Sequence, residues 1–293
     1  MLLKRARFWL AVAAMLSLVS IFGACSKKTD EANDGGGGGT ETGKKYASKG
    51  DEGSIKGSVA FNGTAPEAKK VDTAADPYCA TKDVKTEEWV VANGKVANTF
   101  VYLKDGQTAD GTKIGDYAFD VPSSAVVLDQ NGCHYKPHVL GMMANQKLSV
   151  TNSDQTTHNV HPQPTKNQEW NQSQSAGAPP IEKTFSRPET LVPVKCNQHP
   201  WMKSYIGVLK HPFFAVSKED GSYEIKGVPA GTYTVAAWHE GGASGSEKTM
   251  SVTVPAKGAA TADFTLSAGG TASVQSNGLQ MMSAIEFPML GKH

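Results

Sequence analysis

Four residues in one stretch of the chain combine types and spacings that suit a single metal ion. His158 stands in Thr157-His158-Asn159-Val160-His161, and thirty-eight positions later comes Cys196-Asn197-Gln198-His199-Pro200-Trp201-Met202. Two imidazoles, a thiolate and a thioether are the donor set of a type 1 copper site, a His, His, Cys plane with a weak, long axial Met. Zinc sites use four strong thiolate, imidazole or carboxylate donors, to which a thioether adds nothing. Copper profits from both imidazole and sulfur, and a set that fully suits neither oxidation state changes little when an electron moves. Taken singly, each residue has a plainer role: His158 as a surface or capping residue, Met202 as core, Cys196 and His199 as a common pairing. Their combination points to copper. His161 falls outside the set, because on a strand it lies on the face opposite His158.

The elements that must position these residues read as strands. Short alternating runs recur between Gly, Pro, Asn and Asp punctuation at 54–61, 99–103, 148–151, 191–196, 223–225, 232–238, 251–254 and 262–266. In the run before the ligand loop, Val192, Val194 and Cys196 share a face, which aims the thiol inward between apolar neighbours. No amphipathic helical stretch of convincing length is present, so the expected fold class is all-β.

Residues 135–208 resemble the cupredoxins, and the amicyanins among them. Asn152, Asp154 and the His158-Asn159-Val160-His161 run match that family's first ligand segment. Cys196, His199 and Met202, with two residues between neighbours, match its short ligand loop. The resemblance implies that His158, Cys196, His199 and Met202 bind one copper ion and that the Asn159 N–H bonds the Cys196 sulfur. It also implies that the His199 edge reaches the surface beside Pro200 and Trp201, as the place where electrons leave, with His158 more deeply buried. Ser204 and Tyr205 depart from the Gly usual shortly after the Met, and Pro193 interrupts the strand leading into Cys196.

A second resemblance flanks the first. Asp220-Gly221, Tyr223, Ile225, Val228-Pro229-Ala230-Gly231, Tyr233 and Val235 are similar to the carboxypeptidase regulatory-like, or transthyretin-like, β-sandwich. The opening strand of that repeat is matched by Gly57-Ser58-Val59 and Asn62-Gly63, far upstream. The implied architecture is a cupredoxin Greek-key sandwich at 121–210, inserted in or fused to a discontinuous sandwich at 54–120 and 211–267, with a tail at 268–293. Such a fold implies no activity by itself.

At the N-terminus, Lys4, Arg5 and Arg7 precede an apolar run from Phe8 to Phe22 that is short for a membrane span. The run ends in Ile21-Phe22-Gly23-Ala24-Cys25, which resembles a bacterial lipobox, although Phe22 stands where Leu is usual; the plainer reading is a simple cleaved signal. Residues 1–25 are therefore expected to be a lipoprotein signal with Cys25 the lipidated residue, anchoring an exported protein at a bacterial membrane, periplasmic or on the cell surface. Residues 26–53 include five consecutive glycines, Gly35 to Gly39, and read as a flexible tether with a reach of roughly 30 Å.

With Cys25 and Cys196 assigned, Cys79 and Cys133 are left, and in an oxidising compartment they are expected to form a disulfide; the alternative is two buried thiols. His134, His138 and His239-Glu240 are further metal-binding candidates for which a hydrogen-bonded role is the simpler reading. A net charge of +1 without a basic cluster argues against nucleic acid as a partner. No Ser, His, Asp constellation and no phosphate loop is identifiable. The expected function is a membrane-tethered carrier of single electrons between redox partner proteins, and not an enzyme. The alternatives are copper storage or delivery, and a structural β-sandwich with a vestigial metal loop.

Overall fold

The structure is a computed structural model and describes residues 43–242 and 247–268. The export signal with Cys25, most of the proposed tether and the tail beyond Ala268 lie outside the described residues. Within them the chain is all-β, with two single-turn 3-10 segments, Cys79–Thr81 and Ile114–Asp116.

Strands between Val126 and Leu209 form two mixed sheets. One has the order Ile181–Thr184, Lys147–Asn152, Val126–Gln130, Tyr135–Lys136; the other has Gln172–Gln174, His158–Pro162, Glu189–Lys195, Lys203–Leu209, Val139–Met143. Their facing sides share one core that includes Leu128, Met142, Val150, Phe185, Val192 and Ile206. Alternation holds where it matters for the site. Val192, Val194 and Cys196 are buried, while Pro193 is exposed. Pro193 does not break the strand: it stands opposite Tyr205, whose N–H turns to the carbonyl of His138 on the other side. The missing proline donor is therefore not needed at that pair.

A second pair of sheets is built from both flanks. Gly53–Phe61 pairs with Ser222–Val228 and with the short strands Ala259–Thr261 and Phe264–Leu266. Phe100–Thr108 lies between Phe214–Val216 and Gly231–Trp238, with Glu247–Val254 beyond. Ile55, Val59, Leu103, Tyr223, Ile225 and Tyr233 belong to its core. The proposed tether ends earlier than expected. Lys44–Lys45 pairs with Tyr117–Ala118, and the Tyr46 ring packs against Tyr117 and Phe119 while its hydroxyl bonds Glu52. One aromatic anchor is enough to fix an otherwise polar segment that has no apolar period.

The two sandwiches meet through a smaller apolar cluster that includes Phe100, Val139, Leu209 and Ala236. Gly141 and Gly207 stand opposite each other on neighbouring strands. A Cβ on Gly207 would come within 2.3 Å of the Phe100 ring, and one on Gly141 within 2.4 Å of Phe214. These glycines let the aromatic face of one sandwich approach the backbone of the other. Polar groups also cross the boundary. His138 binds the Glu240 carboxylate through Nε2, its Nδ1 lies 3.4 Å from Glu87, and Glu87 is 2.9 Å from His134. The Tyr205 hydroxyl donates to Glu240 at 2.8 Å. Burial alone would lower the His138 imidazole, but Glu240 and Glu87 push it up to about 9; burial alone would raise Glu87, but His134 and His138 hold it at about 2. These histidines thus serve as joints between the sandwiches.

Gly207→Ala should lower the melting temperature through a clash costing about 1–3 kcal/mol, and Phe100→Leu in the same chain should recover part of it. An unchanged melting temperature in Gly207→Ala would mean that the two faces are not packed this closely. The His138 joint has a definite pH signature. Because its folded value exceeds the unfolded one, its stabilisation is complete below about pH 6.5 and is lost as pH rises through about 9; the Glu87 part is complete above about 4.5 and is lost toward pH 2. An NMR titration should place the His138 midpoint near 9, with at most about 3 kcal/mol of stability linked to it. A midpoint at or below 6.5 would contradict the joint.

Candidate metal centre

Each donor is delivered by a different local device. His158 opens the strand His158–Pro162, after a loop whose shape is set by Asn152: its side-chain amide donates to the carbonyls of Thr156 and Gln174, and its oxygen accepts the Asp154 N–H. Cys196 directly follows the strand Glu189–Lys195, and the loop from there to Met202 is closed twice, by Cys196 N–H to the Met202 carbonyl at 3.2 Å and by Met202 N–H to the His199 carbonyl at 2.9 Å. A short loop held at both ends leaves its side chains little freedom.

The side chains converge. His158 Nδ1 and His199 Nδ1 are 2.9 Å apart, and Cys196 Sγ is 3.6 Å from His199 Nδ1. Three donor atoms, one from each of His158, Cys196 and His199, lie within 4.8 Å of one another, and all three residues are buried. One ion with bonds of about 2.0–2.3 Å to nitrogen and sulfur spans such edges. Met202 is fully buried on the same loop and belongs to the same apolar cluster as Cys196. The Asn159 N–H donates to Cys196 Sγ at 3.3 Å. His161 stays apart, with its ring on Asn197 and Glu169. Among the described residues two other groupings of donors occur, around Asp76 and Asp154, but each needs Cys79 or Cys133, and these are joined in a disulfide. Neither sulfur is therefore a free thiolate.

Each imidazole has its distal nitrogen on a carboxylate. His158 Nε2 is 2.8 Å from Asp154, which also accepts the N–H groups of Gly132 and Cys133. His199 Nε2 is 3.3 Å from Asp76. A carboxylate at Nε2 fixes the proton there and frees the Nδ1 lone pair for a metal. The two Nδ1 atoms, 2.9 Å apart, are turned toward one point. Burial works against a charged His158, but Asp154 and the Cys196 sulfur raise it to about 9; burial works against a charged Cys196, but His158, His199 and the Asn159 N–H bring the thiol down to about 6. A metal ion bound there would meet two imidazole nitrogens and a sulfur already inclined to ionise. The donor set and its supports fit a copper ion of the type 1 class.

The His199 edge is not at the surface, contrary to the expectation drawn from the sequence. His199 is 4% exposed. Asp76 and its neighbours, from a segment read in the sequence as part of the other sandwich, lie across it, and the Trp201 ring packs 5.1 Å from its centre. Pro200 is exposed, but Trp201 is only half so: its Nε1–H donates to the Cys133 carbonyl at 3.2 Å, and it packs on a cluster of Cys79, Val84 and Cys133. Asp76 is the residue sequence reading missed. The Asp76-Pro77-Tyr78-Cys79 run does signal a cap, since the Asp76 carboxylate accepts the Cys79 N–H at 2.8 Å, but nothing local links it to a histidine more than a hundred residues away.

Comparison with known proteins gives limited likeness. The family model described as polysaccharide lyase family 4, domain II, matches residues 209–262, within the second sandwich. A comparison with curated proteins finds no match. Among solved structures, a Cu-containing nitrite reductase from Thermus scotoductus is similar at 13% identity and TM-score 0.27, over 51% of this chain and 28% of that one. The chain thus spans little more than a quarter of that reductase. A purple cupredoxin from Nitrosopumilus maritimus is similar at 17% identity and TM-score 0.25, over 29% of this chain and 98% of that one. Amicyanin from Paracoccus versutus is similar at 18% identity and TM-score 0.27, over 37% of this chain and 96% of that one.

Proposed function

We propose that this protein carries single electrons through one type 1 copper ion held by His158, Cys196 and His199, with Met202 as the weak axial donor, and that it transforms no substrate. The observation that carries the reading is the convergence of one thiol and two imidazole nitrogens in a buried pocket, with the Asn159 N–H on the sulfur. Copper, when bound, supplies the one-electron chemistry. The chain supplies everything else. The Asn159 N–H and the paired loop hold Cys196 in place, the two carboxylates orient the imidazoles, and the sandwich core keeps water away. A cage of this kind has little to rearrange between oxidation states.

The same reading places the protein outside the cytoplasm, lipid-anchored through Cys25 to a bacterial membrane, where redox partner proteins reach it and nucleic acid does not. Electrons leave by the exposed Pro200 and the half-buried Trp201 beside His199 on the ligand loop, since rigid aromatic groups anchor protein contacts with little ordering cost.

Loading the chain from Gly43 onward with Cu(II) should produce an intense visible sulfur-to-copper band, and Cys196→Ser should abolish it while leaving the melting temperature of the metal-free protein within a few degrees of wild type. A colourless wild-type protein carrying one copper per chain would overturn the electron-carrier reading. Ready release of Cu(I) from that colourless form to a chelator would establish storage or delivery instead.

A further inference from the structure

Within the connection 62–90, the part from Val71 to Val84 packs beside the candidate metal centre, against Cys133 and Trp201, while Trp89 stays in the core of the second sandwich. Val71 N–H bonds the Val84 carbonyl and Thr86 N–H the Lys69 carbonyl around the Lys70–Lys85 bridge, and local turns are closed by Asp76 N–H on Thr73, Ala80 N–H on Asp76, Thr81 N–H on Tyr78 and Lys82 N–H on Cys79. What joins this segment to the centre is chemical and specific. The Cys79–Cys133 disulfide links it to the loop after Val126–Gln130, and the Tyr78 hydroxyl donates to Asp154 at 3.1 Å. Asp76 makes three contacts there. It accepts the Cys79 N–H at 2.8 Å and the Thr156 hydroxyl at 2.7 Å, and it faces His199 Nε2 at 3.3 Å.

The two half-cystines play matching parts. The Cys133 N–H donates to Asp154, which holds His158; the Cys79 N–H donates to Asp76, which holds His199. The disulfide therefore ties together the two carboxylates on which both imidazoles depend.

We propose that Asp76 is a positioning residue for His199, carried by a disulfide-clamped cap that closes the edge of the metal centre and favours its oxidised state. The proposal rests on the electron-carrier reading for its redox consequence, but its geometric part stands on the metal-free chain. An anion hydrogen-bonded to the far side of a ligand imidazole makes that imidazole a stronger donor and adds negative charge near the ion. Both effects favour Cu(II) over Cu(I) and lower the reduction potential.

Two variants and two measurements test this. In the metal-free wild type, ¹⁵N-edited NMR should show a slowly exchanging Nε2–H on His199; Asp76→Ala should lose it, while Asp76→Asn, which keeps an acceptor of the same shape, should retain it. In the copper-loaded protein, both variants should shift the balance toward Cu(I) about tenfold, which corresponds to a rise in potential of about 59 mV, with the visible band kept. Cys79→Ala combined with Cys133→Ala should reproduce the Asp76→Ala behaviour. An unchanged His199 signal in Asp76→Ala would overturn the positioning role. A potential unmoved in both variants of a blue protein would overturn the redox role. If the wild type takes up no copper at all, the electron-carrier reading fails and the NMR comparison still decides whether Asp76 orients His199.

Discussion

The structure depends on burying two imidazoles edge to face, with their Nδ1 atoms turned toward each other. His158 and His199 are almost inaccessible to water, and their Nδ1 atoms are 2.9 Å apart. Each ring has two polar nitrogens, and a buried one without a partner costs about 1–3 kcal/mol. The chain meets this with Asp154 and Asp76, each pinned by backbone N–H groups so that it cannot swing away. On the other side the two Nδ1 atoms face each other, and the Cys196 sulfur points to the same place. A cation bound there would meet both nitrogens and the sulfur at once.

The surrounding fold supplies rigidity at that point. Val192 and Val194 bury the strand that presents Cys196, and the sheet containing it is backed by the second sandwich through Phe100 seated against Gly207. His138, clamped between Glu240 and Glu87, fixes the same boundary electrostatically. The second sandwich is therefore more than an appendage. Its strand-to-strand connection at 62–90 covers His199, so removing that sandwich would also uncover the site.

The candidate donors were legible because their chemistry is written in residue types: a Cys, a His and a Met with two residues between neighbours, and a second His thirty-eight positions before the Cys, stand out whatever the surrounding strands do. The alternating strands were legible for a similar reason, as with Gly231–Trp238, where Tyr233, Val235 and Ala237 turn to the core. Val139–Met143 and Lys203–Leu209 were not, because burial on both faces replaces alternation by a nearly continuous apolar run. Asp76 was beyond reach, since its partner His199 is 123 positions away; the Cys79–Cys133 disulfide was expected and is present, but the pairing alone does not say what the segment around Cys79 covers. The expectation of an exposed His199 failed for the same reason: a ligand loop read alone does not reveal what another part of the chain lays over it.

The central claim is that one copper ion sits in a cage that keeps its shape as the electron comes and goes. X-ray absorption at the copper edge, recorded on the oxidised and the reduced protein, tests it most directly. The account predicts two imidazole nitrogens and one sulfur at short distance in both states, with bond lengths nearly the same. Loss of the sulfur shell, or of an imidazole on reduction, would contradict it.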